Sequence, residues 1–227
     1  MKDAHSLSDW IAHVFDHPVT NPAWHFGDTP PEWEEDSPDR NAAFIADAFE
    51  RSGELLAPFS DEQLDQGFWY LLGEIHFEFM DSLMDQSVPP TLRLRALRSL
   101  VPLFEQVMVV RCSPHLSHLD KRGTNPLERG AKPLNSACYM WWDILPFRFC
   151  PELSGRPEFN SQVVAVQRQI LTIPHDACRE SALHGLGHWA MHYPGVANII
   201  DEFLARTPDL RPELVAYAQR AKTGAVL

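Results

Sequence analysis

Cys178 to Gly195 reads CRESALHGLGHWAMHYPG. Its residues Cys178, Ala182, Gly185 and Trp189 recur at spacings of four, three and four, the period of one helix face. Pro174 precedes the run and Pro194 follows it, so the spacing predicts a helix over 174–192. On that helix His184, His188 and His192 recur every four residues, and Glu180 stands one step before them. Measured from the small and apolar face, His192 falls nearest the core, His188 further out and His184 on the flank, with Glu180 nearly opposite the core.

Histidines four apart on a helix are close enough to share a metal ion, as in HExxH. Here Gly185 follows His184, so the general-base glutamate of that motif is missing. Each four-residue step advances about 40° around the helix and about 6 Å along it, so no single ion reaches all three histidines. At most one adjacent pair could act, with another ligand from Glu180 or a neighbouring helix. Gly185 and Gly187 each cost about 1 kcal/mol inside a helix relative to Ala, and their natural use is close approach of a neighbour. The structural reading of these histidines comes first, a ridge contacting a partner or ligand second, and a metal or catalytic site third. No metal and no cofactor is therefore expected.

Outward from this stretch the same period recurs. Leu7, Trp10, Ile11, Val14 and Phe15 predict a first helix, closed by Pro18. An irregular segment rich in Pro and acid follows, carrying Trp24 and Trp33. Ser37-Pro38 opens the next helix, and Ser60 with Gln63 forms a capping box for a helix expected to run to Leu83. Pro89-Pro90 starts another, which Pro102 should kink. Helices are also expected from Asn135 to Pro146, Arg156 to Thr172, Pro194 to Arg206 and Pro212 to Lys222, separated by Pro/Gly loops. No segment shows the two-residue alternation of a half-buried strand, and the chain reads as all-α.

Two pentapeptides in these helices match, ALRSL at Ala96 to Leu100 and ALHGL at Ala182 to Leu186. Between them MWWDILP, from Met140 to Pro146, lies in register with ALRSLVP from Ala96 to Pro102, and the successive offsets are 44 and 42 residues. Two-helix repeats of this class recur at about 40–47 residues. In these motifs, from Ala42 to Tyr217, the chain resembles the HEAT-like, armadillo-type α-solenoid superfamily. The resemblance implies an α-α superhelix of HEAT-like helical hairpins, here with irregular Pro/Gly loops, whose concave face binds another protein. It transfers no catalytic residues. The expected organisation is one all-α domain over 1–227, with an irregular segment and one short helix at 1–39 and a repeat-like body at 40–222.

The 227 residues carry 31 acidic and 19 basic side chains, a formal net charge of -12 that disfavours nucleic acid as a partner. Arg93, Arg95 and Arg98, and Lys121 with Arg122, are the nearest candidates for a basic patch and read as solvated positions. Cys112, Cys138, Cys150 and Cys178 contain no CxxC pair and read as reduced core residues. The N-terminal residues lack a signal-peptide pattern and no run is long enough to span a membrane, which points to the cytoplasm. Glu74, Glu78, Asp81 and Asp85 form an acidic stripe on one expected helix. ExxH pairs for di-iron chemistry are absent. Trp141-Trp142 beside Cys138 and Tyr139 would suit a hot spot on a groove, but core packing is the commoner use of such a cluster. The sequence thus favours a non-enzymatic scaffold or adaptor. It would bind a protein, basic in character, through Glu180, His184 and His188 together with Glu74, Glu78, Asp81 and Asp85. The alternative is a metal-dependent, hydrolase-like enzyme using His184 and His188.

Overall fold

The computed structural model describes residues 5–27, 31, 33, 37–73, 78–120, 130–144 and 157–226. Among these, every regular element is helical and no strand occurs. The backbone contacts gather into two compact units, Met1–Val107 and Met108–Leu227.

In the first unit, α1 (Leu7–Phe15) begins with a capping box between Ser6 and Asp9 and buries Trp10, Ile11, Val14 and Phe15. A 3-10 turn, Trp24–Phe26, follows, and the Trp24 ring stacks on His17 at 3.7 Å. Helix α2 (Pro38–Glu50) starts with Pro at its first position, where a missing N–H costs nothing. A short α3 (Ser52–Leu55) leads to α4 (Asp61–Leu72), which opens with the expected Ser60–Gln63 capping box. Helix α4 does not continue to Leu83. Gly73 is extended and ends it, and a separate turn, α5 (Glu78–Asp81), follows. The run from Pro90 breaks around Ser99 and Pro102 into α6 (Pro90–Arg98), α7 (Leu100–Leu103) and a π-helical turn, Phe104–Met108. Pro102 offers no N–H to the carbonyl four residues back and crowds that turn, which accounts for the irregularity. Helix α2 packs against α1, α5, α6 and α7, and α1 also packs against α4.

The second unit starts with α8 (Val109–Arg111) and an irregular segment through Asp120. It then contains α9 (Leu134–Ile144), α10 (Pro157–Leu171), α11 (Asp176–Trp189), α12 (Val196–Arg206) and α13 (Pro212–Ala221). Helix α11 packs against α9, α10, α12 and α13, while α10 touches α12 and α12 touches α13. From Ala177 to Trp189 only Arg179 and His188 are not fully buried. The helix expected over 174–192 is shorter, Asp176–Trp189, and it is enclosed on nearly every side.

The glycines of α11 explain how neighbours come so close. A Cβ at Gly185 would lie 2.6 Å from Gln167 Nε2 and 2.7 Å from Trp142 Cγ, so α9 and α10 press directly on its backbone. Overpacking of this kind costs about 1–3 kcal/mol. Gly185→Ala is accordingly expected to lower the unfolding free energy by about that amount in urea titrations, outweighing its gain in helix propensity.

Candidate functional site

Two buried polar side chains organise the second unit. Asn135, at the start of α9, accepts at Oδ1 from the backbone N–H groups of Ser113 (3.1 Å) and Lys132 (2.9 Å). Its amide donates to the carbonyls of Ser113 (2.9 Å) and His115 (3.1 Å). Glu180 is fully buried and accepts from three consecutive backbone N–H groups: Ser117 at 2.8 Å, His118 at 3.1 Å and Leu119 at 3.2 Å. Glu180 therefore does not face away from the core as the helical wheel implied. The segment from Ser113 to Asp120 covers that side of α11, and its otherwise unpaired N–H groups are what a carboxylate there satisfies. Arg211, which precedes α13, donates to Asp120 Oδ1 at 3.0 Å and ties that helix to the same segment.

This frame holds a cluster of polar rings. His184 is buried at 2% exposure, and its Nδ1 lies 2.7 Å from the Tyr217 hydroxyl and 3.1 Å from that of Tyr139. The Tyr217 hydroxyl donates to the carbonyl of Val226 at 3.3 Å. His118 stacks on the Tyr139 ring, 5.4 Å between centroids and 15° between planes. On the other edge of the imidazole, His184 Nε2 lies 3.1 Å from His188 Nε2. Asp143 Oδ1, projecting from α9, is 3.3 Å from His188 Nε2 and 3.9 Å from His184 Nε2. Asp143, His184 and His188 thus form a group of potential ligand atoms all within 4.8 Å of one another. Asp143 and His188 keep 26% and 17% of their side-chain surface, so the group meets solvent on one side.

The environment sets the protonation states. Burial, followed by the charge of His188 and opposed by Asp143, pushes His184 down to about 4, which leaves a neutral imidazole at pH 7. Burial raises Tyr139 to about 12 and carries Tyr217 higher still, so both stay protonated. Burial also pushes Glu180 up to about 7, against the three backbone hydrogen bonds that pull it down.

The other expected site residues are scattered. His192 is exposed rather than nearest the core, because α11 ends at Trp189 and the helical period does not extend to it. The acidic stripe is not on one helix: Gly73 ends α4, α5 spans Glu78–Asp81, and Asp85 sits in a turn where it accepts from Ser87. Glu74 lies outside the described residues, as do Lys121, Arg122 and Cys150. Arg95 pairs with Asp47 at 2.6 Å and Glu50 at 2.5 Å. Cys112, Cys138 and Cys178 are buried free thiols. No described helix is long and apolar enough to cross a membrane.

Sequence reasoning did not single out Asp143, Tyr217, Asn135 or His118 as site residues, and it placed Tyr139 only in an aromatic cluster read as packing before a hot spot. One signal was available for two of them: Tyr139 and Asp143 are four apart on α9, as His184 and His188 are on α11. Residues four apart lie on one face of their own helix, so each helix presents its two polar groups together. No protein-family model matches the chain, and no curated protein or solved structure is significantly similar to it.

Glu180 makes the pH dependence of stability predictable in sign. Its folded value, about 7, lies above its ordinary 4.5, so the folded state binds more protons between these values. The contribution is fully present below about pH 4.5 and is lost as pH rises through about 7. Denaturant titrations of wild type and Glu180→Gln are expected to show wild-type stability falling, relative to the variant, from pH 5 to pH 8.

Proposed function

We propose that the chain is a metal-dependent enzyme of hydrolase-like type, with a divalent transition-metal ion held by His184, His188 and Asp143. One observation carries the reading: the 3.1 Å between the two Nε2 atoms. Two imidazole nitrogens each about 2.0–2.1 Å from one ion, at angles between octahedral and tetrahedral, lie about 2.9–3.4 Å apart. The Asp143 carboxylate stands close enough to complete a two-histidine, one-carboxylate set. The neutral state of His184 is the ligand form, and the hydroxyls at its Nδ1 are the outer-shell partners that ligating histidines have. An ion with three protein ligands supplies Lewis acidity and keeps room for water or substrate. Partial exposure of Asp143 and His188 gives access from solvent.

This reading departs from the sequence expectation of no metal, and it moves the binding-surface reading to second place. A ridge of Glu180, His184 and His188 needs side chains that reach a partner, and Glu180 and His184 are buried. For the fold, we propose a short HEAT-like stack in the second unit. The packing of α11 on α9 and α13, of α10 on α12, and of α10 and α12 on their successors along the chain supports it. Alternate helices packing side by side in this way is the contact pattern of stacked hairpins.

Equilibrium dialysis with Co2+ or Zn2+ is expected to give one ion per chain. His188→Ala and Asp143→Asn should each weaken binding at least tenfold, while His192→Ala should leave it unchanged. Absence of stoichiometric binding, or equal binding by His188→Ala, would exclude the metal site.

A further inference from the structure

The segment after α13 is held against the candidate site by two contacts. Gly224 adopts φ +79°, a left-handed conformation open to glycine, and turns the chain back. Val226 is then buried at 1% exposure, with its side chain on the backbone of Gly187. A Cβ at Gly187 would lie 2.2 Å from Val226 Cγ1, so only glycine fits beneath that valine. Gly187 immediately precedes His188 and stands three residues after His184. The Val226 carbonyl meanwhile accepts from the Tyr217 hydroxyl, which lies 2.7 Å from His184 Nδ1.

One assignment makes both contacts of the Tyr217 hydroxyl hydrogen bonds, with the Tyr139 hydroxyl, 3.1 Å from the same Nδ1, as a second acceptor. A carbonyl only accepts, and Tyr217 has a single hydroxyl proton. With that proton given to Val226, the 2.7 Å contact is donation by His184 Nδ1–H to the Tyr217 oxygen. A neutral imidazole protonated at Nδ1 has its lone pair on Nε2, the atom facing His188 and Asp143.

We propose that Thr223–Val226 is a positioning clamp: through Tyr217 it fixes His184 as the Nδ1–H tautomer, with the Nε2 lone pair directed at the metal position. Tyr217 and Val226 are positioning residues, since neither reaches the metal position itself. The proposal rests on the metal-site reading for its consequence, though not for the tautomer. Gly187 is the matching element on α11. Any side chain there dislodges Val226 and with it the carbonyl that orders the relay.

Two measurements test it. In metal-free protein, nitrogen-detected NMR of the imidazoles is expected to show His184 as the Nδ1–H tautomer, and a mixture in Tyr217→Phe. In Co2+ titrations followed by visible absorption, Tyr217→Phe and Gly187→Ala should each bind about 10–100-fold more weakly, the range for loss of an outer-shell partner. Gly187→Ala combined with Val226→Gly removes the clash and should regain most of the affinity, which general damage to the fold would not do. An Nε2–H tautomer in wild type, or unchanged Co2+ affinity in Tyr217→Phe, overturns the clamp. So does a double variant no tighter than Gly187→Ala. If wild type binds no Co2+ while the tautomer responds to Tyr217→Phe, the clamp stands and the metal reading falls.

Discussion

A helix enclosed on nearly every side must satisfy its buried polar side chains from inside the protein, and α11 is such a helix. Glu180 and His184, four apart, are buried on one side of it, and Ser181 is buried about 100° further round. Glu180 takes three backbone N–H groups, and Ser181 donates to the Cys138 carbonyl at 2.5 Å. His184 takes two tyrosine hydroxyls. Together these bonds reach three neighbours, so the requirements of one helix set the positions of α9, α13 and the segment from Ser113 to Asp120.

The candidate site follows from that enclosure. His184 is oriented because its Nδ1 edge is committed to Tyr139 and Tyr217, which leaves the Nε2 edge for His188 and Asp143. His188, one turn on, lies where the enclosure ends and keeps partial exposure. The candidate site therefore combines an enclosed imidazole, His184, with one near water, His188. That gradient along a single helix suits an ion that must be held firmly and still be reached.

Much of this arrangement was legible in the amino-acid pattern. Periodicity and capping signals located the helices, and the two glycines of α11 announced close neighbours that Gln167, Trp142 and Val226 supply. Geometry on the helix also ruled out a three-histidine site before any neighbour was known. The pattern misled where it assumed that polar means outward. Glu180 and His184 are polar and buried, because what covers them comes from residues about 30 to 60 positions away. The acidic stripe failed for a local reason, the break at Gly73.

The sequence by itself determined the all-helical character, most helix starts and the pairing of His184 with His188, since these depend on local spacing and on residue chemistry. Tertiary structure alone decided that Asp143 joins them and that Glu180 serves the backbone rather than a partner. It alone also decided that the Val226 carbonyl reaches Tyr217. These are contacts between segments far apart in the chain, and no local period encodes which distant group will meet an enclosed side chain.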